Sequence, residues 1–168
     1  AAPAGLVFRP SILQSSGFAD LNATGNSIRL EGVDLALAGS IAISGALVNG
    51  NGSDSRLSAS YISLNGTSVA APASNGTLTL AATVIDVKQA AIRGFAQAVL
   101  DATDIRFVPF SATGQSASLD MTGILALKAA QIYPASQTSA TIMASEKIVV
   151  QQNGVAGVAL SAGGSLTL

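Results

Sequence analysis

The sequence predicts an all-β protein wound as a parallel β-helix, a β-solenoid of about seven or eight coils of roughly 20 residues each. Three observations lead there. The first is a repeated phrase. Leu100-x-Ala102-x-x-Ile105-x-Phe107 recurs as Leu57-x-Ala59-x-x-Ile62-x-Leu64 and as Leu80-x-Ala82-x-x-Ile85-x-Val87. Looser copies with a longer step are Leu21/Ala23/Ile28/Leu30, Leu35/Leu37/Ile41/Ile43, Leu119/Met121/Leu125/Leu127 and Ile142/Ala144/Ile148/Val150. The second is period-two alternation, clean in Ser27–Leu30, Thr77–Leu80 and Ser165–Leu168, with turn residues such as Asn49-Gly50, Asn65-Gly66, Asn75-Gly76 and Asn153-Gly154 between the runs. The third is composition. Hydrophobic residues make up 49% of the chain but charged residues only 10% and aromatics 4%, so Ser, Thr, Asn, Gln and Gly must supply the polar surface. Small neutral side chains suit strands whose outward residues lie about 4.8 Å apart, where long charged ones crowd and repel.

In chain order, residues 1–16 match the repeat poorly and read as an irregular lead-in or cap. Within them Leu6-Val7-Phe8 is a short strand stopped by Pro10, with Ile12 and Leu13 leading on. The repeat domain then spans residues 17–168. It opens at Gly17-Phe18-Ala19, and a second Gly-Phe-Ala stands at Gly94-Phe95-Ala96 before another Leu-x-Ala phrase. Asn49–Ser55 and Ser68–Asn75, with Pro72, read as longer protruding turns. Lys88–Leu100 is the least β-like stretch. It reads as loop plus strand, although Ile92, Phe95, Ala96 and Val99 have helical spacing. Gly94 argues against the helix by about 1 kcal/mol relative to Ala. Stacking the copies in order gives two inward columns. One is Leu21, Leu57, Leu80, Leu100, Leu119, Ile142; the other is Ala23, Ala59, Ala82, Ala102, Met121, Ala144. It also places Asp86 opposite Arg106 on neighbouring coils, as an exposed pair worth well under 1 kcal/mol.

Charge and missing residue types exclude several functions. The net charge is −1, and eight scattered Lys and Arg make no stripe for phosphates, so no nucleic-acid partner is expected. There is no Cys and no His, which removes disulfides, thiolate metal sites and the commonest general base. No signal peptide and no apolar run of about 20 residues is visible, and the start at Ala1-Ala2-Pro3 reads as a fragment or processed piece of a longer protein.

The most distinctive stretch is Leu125-Ala126-Leu127-Lys128-Ala129-Ala130-Gln131-Ile132-Tyr133-Pro134, followed by a Ser/Thr-rich step and Thr141-Ile142-Met143-Ala144. With the Gly-Phe-Ala openings and the Leu-x-Ala repeats, it resembles the filamentous haemagglutinin family of large bacterial exoproteins over roughly residues 17–168. The resemblance implies a right-handed coil exported unfolded through an outer-membrane transporter, then adhesion or effector presentation at the bacterial cell surface. It transfers no catalytic residue.

Candidate sites are few. Asp101 and Asp120, following the first apolar residue of neighbouring copies, would stack about 5 Å apart with Asp104 and Arg106 nearby. Such a carboxylate cluster binds calcium or serves a polysaccharide lyase or hydrolase on a β-helix; the plainer reading is a solvated outer face. Tyr133 beside Pro134 is a sugar-stacking platform or a ring packed over a corner. Phe107, Pro109 and Phe110 read as a cluster filling a corner. Asn22, Asn51, Asn65 and Asn75 begin N-glycosylation patterns that arise readily in Gly/Ser/Thr-rich turns, and turn chemistry is the preferred reading. Thr67, Thr77 and Thr79 lack the repetition of an ice-binding array. The expectation is therefore a structural shaft of a secreted adhesin, with no catalytic residue, cofactor or metal. Its partners would be neighbouring coils of a longer chain and a cell-surface receptor or glycan. A carbohydrate-active enzyme is the alternative.

Overall fold

The structure is a computed structural model and describes residues 5–10, 17–66, 69–111, 115–158 and 161–168. Twelve strands run through the described residues: β1 (Leu6–Phe8), β2 (Leu21–Leu30), β3 (Asp34–Ala36), β4 (Ser40–Asn49), β5 (Ser55–Asn65), β6 (Thr77–Arg93), β7 (Gln97–Phe107), β8 (Ser116–Met121), β9 (Ile124–Pro134), β10 (Ser139–Ala144), β11 (Lys147–Gln152) and β12 (Ser165–Thr167). Every pairing between them is parallel.

The pairings show that the strands turn corners. β5 pairs with β3 through Arg56–Ser58 but with β4 through Tyr61–Asn65. β6 has 17 residues, roughly 56 Å if straight, and meets four different neighbours. The chain therefore lies on three faces, and it makes about six turns, not seven or eight.

Each face carries a column of apolar residues into one continuous core. On the first face the column is Leu35–Leu57–Leu80–Leu100–Leu127–Val150. On the second it is Leu21–Ile41–Ile62–Ile85–Ile105–Ile132. On the third it is Leu6–Ile28–Leu47–Ile92–Met121–Ala144. The middle members of the first two columns are fully buried. A column of small residues, Ala59–Ala82–Ala102–Ala129, stands beside the first, next to the corner.

Two parts of the expected stacking are corrected. Leu57, Leu80 and Leu100 do stack, but Leu127 continues their column, and Leu119 lies on the third face between Ala90 and Ile142. Leu21 lies on Ile41 of the second face. Lys88–Leu100 contains no helix: Lys88–Arg93 completes β6, Gly94 turns the chain at φ 73°, and Gln97 opens β7. Ile92 and Phe95 share helical spacing because both point inward on either side of that turn, where both are buried.

The third face skips one rung. After β5 the chain leaves the coil, and Leu47 and Val48 of β4 pair directly with Ile92 and Arg93 of β6. Val69 and Ala71 of the excursion pack over the outward side chains of Ala46, Val48 and Ala91. Asn49 ties the excursion to the preceding turn: its Nδ2 donates to the Asn75 carbonyl at 2.7 Å, while its Oδ1 accepts from the Gly52 amide at 2.7 Å. The two turns expected to protrude are thus joined. At the corner where the skip begins, Gly25, Gly45 and Gly66 stack. A Cβ on Gly45 would stand 2.2 Å from the Gly25 carbonyl oxygen, and one on Gly66 2.2 Å from the Gly45 carbonyl carbon. Of the expected lead-in, Leu6–Phe8 is already a rung on Ile28–Leu30; Ile12 and Leu13 lie outside the described residues.

Candidate functional site

Alternation puts every second residue of a strand outside. On the second face this produces one outward row, Asn22–Ala42–Ser63–Asp86–Arg106–Tyr133, beside a second row, Ser40–Tyr61–Val84–Asp104–Gln131. The expected pairing of Asp86 with Arg106 is present. Arg106 donates from Nε to Asp86 Oδ1 at 2.7 Å and from Nη2 to Oδ2 at 2.8 Å, a two-pronged bond. The Tyr61 hydroxyl donates to the same Oδ2 at 2.7 Å.

The pair is not exposed as the sequence suggested. The Asp86 side chain is 9% exposed and that of Arg106 37%. Tyr61, one rung earlier, covers the carboxylate. Burial raises the Tyr61 pKa above its ordinary value, and its hydrogen bond to Asp86 adds to the rise. Hydrogen bonding to Asp86 raises the Arg106 pKa. Tyr133 is raised by burial first and by Asp104 second, while Arg106 acts the other way. Tyr61, Asp86, Arg106 and Tyr133 therefore form one connected cluster across four rungs. The Asp–Arg core of that cluster was legible in the sequence. Tyr61's part was missed, since it stands in the neighbouring outward row and reaches across diagonally.

The three carboxylates proposed as a cluster do not come together as expected. Asp101 lies on the first face between Ala81 and Lys128, and accepts from Asn153 Nδ2 at 2.6 Å. Asp104 lies on the second face between Val84 and Gln131. Asp120 lies on the third face between Ala91 and Met143, where its carboxylate pairs with Arg93. Arg93 is almost buried, and its Nη1 also donates to the Asp120 carbonyl at 2.8 Å. The stacking of Asp101 on Asp120 fails for the same reason as that of Leu100 on Leu119: the two phrases occupy different faces. Among the described residues no group of three or more His, Cys, Asp or Glu is arranged to hold a metal ion.

The remaining candidates are placed as follows. Tyr133 and Pro134 close β9 against Arg106 and Phe107, both half-buried. Phe107 fills the core, but Phe110 is 53% exposed and lies beside the glycine stack, so the expected corner cluster is divided. Thr79 stands between Arg56 and Val99, which breaks any threonine row, and Thr67 lies outside the described residues. Asn51 is engaged in its own turn, accepting from the Ser53 amide at 3.1 Å. At the end of the coil opposite β1, a hollow of about 390 Å³ is lined by Leu127, Ala129, Ile132, Val150, Leu166 and Leu168. No helix among the described residues is long and apolar enough to cross a membrane. No family model, no curated protein and no solved structure matches the chain.

Proposed function

We propose that the chain is a structural segment, a stiff shaft within a secreted, surface-exposed bacterial adhesin or effector-presenting exoprotein like those of the filamentous haemagglutinin family. The supporting observation is the set of three apolar columns, each continuous over five steps. A close-packed interior of that kind resists bending, because any tilt between rungs opens gaps or forces overlap along a whole face. Each rung adds about 4.8 Å, so five steps hold an attached element roughly 24 Å from its base. With only 10% of residues charged, coils approach one another with little charge repulsion. Export through an outer-membrane transporter, and a receptor or glycan as the final partner, belong to this reading through the sequence resemblance.

The test is display. The chain is fused between a bacterial surface anchor and an epitope, and the height of the epitope is measured by fluorescence interference or electron microscopy. A shaft adds a fixed height that survives shortening of the flanking linkers. A height that collapses with the linkers overturns the reading. So does cleavage of a polysaccharide panel by the purified chain that is lost on Asp101→Ala, which would put the carbohydrate-active alternative in its place.

A further inference from the structure

Asn-Gly pairs punctuate the chain at Asn49, Asn51, Asn65, Asn75 and Asn153. Each carries a latent reaction. Glycine has no Cβ to keep the asparagine side chain off the next amide nitrogen, so that nitrogen can attack the side-chain carbonyl carbon. A fold prevents this in two ways. It can occupy the attacking amide with a hydrogen bond, or it can tie the side chain down.

Four of the pairs are restrained. The Gly50 amide donates to the Leu30 carbonyl at 2.9 Å, and both ends of the Asn49 side-chain amide are bonded. The Gly52 amide donates to Asn49 Oδ1 at 2.7 Å, while Asn51 Oδ1 accepts from the Ser53 amide at 3.1 Å. Asn65 ends β5, and the Gly66 amide donates to the Gln89 carbonyl. Asn153 Nδ2 donates to Asp101 Oδ1 at 2.6 Å.

Asn75–Gly76 escapes both restraints. Asn75 is exposed and lies outside any strand, just before β6. Among the described residues neither its side chain nor the Gly76 amide has a hydrogen-bond partner; the bonds at this pair fall on its two carbonyls. One of those bonds assists the attack. The Asn75 carbonyl, conjugated with the Gly76 nitrogen, accepts from Asn49 Nδ2 at 2.7 Å. When the Gly76 amide loses its proton, negative charge spreads onto that oxygen, where Asn49 already points a donor.

We infer that Asn75–Gly76 is a self-modification site, at which the folded chain converts an asparagine into aspartate and isoaspartate. The Gly76 amide gives its proton to solvent base, and its nitrogen bonds to Asn75 Cγ. The bond from Cγ to the side-chain nitrogen breaks, and ammonia leaves with a proton taken from water. Water then opens the cyclic imide. Opening at Cγ leaves aspartate; opening at the Asn75 main-chain carbonyl leaves isoaspartate, with the chain running through Cβ and Cγ. The sum is asparagine plus water to acid plus ammonia, with no oxidant or reductant. Either product adds a carboxylate just before Thr77, whose amide Asp54 holds at 2.7 Å. Isoaspartate also lengthens the main chain next to Gly76, whose carbonyl accepts from the Ala96 amide at 3.0 Å where the next rung opens.

The purified chain is kept in mildly alkaline buffer, sampled over weeks and cut with trypsin. Cleavage after Arg29, Arg56, Lys88 and Lys147 puts Asn49 and Asn51 on one peptide, Asn65 and Asn75 on a second and Asn153 on a third. Fragment masses assign each site. Asn75 should gain acid several-fold faster than the other four, as a mixture of aspartate and isoaspartate, and the five rates should converge in guanidinium chloride. Asn49→Asp keeps the oxygen that Gly52 uses but removes the donor, and should slow reaction at Asn75 several-fold. If another pair matches Asn75 in the folded chain, or Asn75 stays unmodified there, the inference fails. Aspartate without isoaspartate overturns the cyclic route, and a rate unchanged or raised by Asn49→Asp overturns the part given to Asn49.

Discussion

Removing the Asp86 carboxylate tests how the outward row of the second face is held. An exposed ion pair contributes about 0–1 kcal/mol, whereas breaking a buried one costs about 3–5 kcal/mol. Asp86–Arg106 falls between these limits for a visible reason. The carboxylate is nearly excluded from water and accepts three charge-assisted bonds, but the guanidinium keeps more than a third of its exposure and can rehydrate once its partner is gone. Solvent screening at Arg106 therefore removes part of the buried-pair value. We expect Asp86→Ala to cost about 2–3 kcal/mol, and the coupling between Asp86 and Arg106 to be about 1–1.5 kcal/mol. The assay is a double-mutant cycle of Asp86→Ala, Arg106→Ala and both together, by urea unfolding with a shared slope. Arg9 and Glu31 form the reference pair: they also bond at 2.7 Å, but the Arg9 side chain is 60% exposed, and no measurable coupling is expected there. If Asp86–Arg106 shows no more coupling than Arg9–Glu31, enclosure by Tyr61 has no energetic consequence and the argument from burial fails.

Two further outcomes follow from the same geometry. Gly45→Ala would press a Cβ to 2.2 Å from a backbone oxygen that cannot turn aside, and should cost about 3 kcal/mol or more. Gly52→Ala meets open space and pays only for its φ of 79°, about 1–2 kcal/mol, so equal losses in thermal melts would contradict the close glycine stack. Tyr61 is held protonated in the fold, with its pKa raised above the unfolded value. Its contribution is intact below the ordinary tyrosine value of about 10 and is lost as the pH climbs through the raised folded value. Tyr61→Phe should therefore flatten the fall in urea midpoint above about pH 10; an unchanged slope would assign that fall to other groups.

The coil itself was legible in the sequence, and so was the Asp86–Arg106 pair, because the three tight copies of the phrase all occupy the same two faces. Leu57, Leu80 and Leu100 stack in the order the repeat implies. The looser copies misled for a physical reason. Leu119-x-Met121 followed by Leu125-x-Leu127 runs from the third face around Gly123 onto the first, while Leu21-x-Ala23 followed by Ile28-x-Leu30 runs from the second onto the third. Every corner joins two inward pairs by a short polar step, so apolar spacing reports that a corner exists and not which corner it is. The carboxylate cluster failed with that assignment. The skipped rung had no apolar signature, since Ala46, Val48 and Ala91 are outward residues that Val69 and Ala71 of the excursion cover.

The same ambiguity faces the folding chain. If one strand slips by a whole rung, Leu again meets Leu and Ile again meets Ile, so the core barely distinguishes the right stack from a wrong one. Polar outward residues do distinguish them. A slipped β7 would set Arg106 against Ser63 and part it from Asp86, so the enclosed pair and the Tyr61 bond to its carboxylate are both lost. Arg93 with Asp120 does the same on the third face, and the Gly25–Gly45–Gly66 stack does it sterically, because no residue with a Cβ fits at two of its three positions. In a chain with so few charges, those enclosed between rungs specify which coil lies on which, and the apolar columns supply the stability that holds the choice in place.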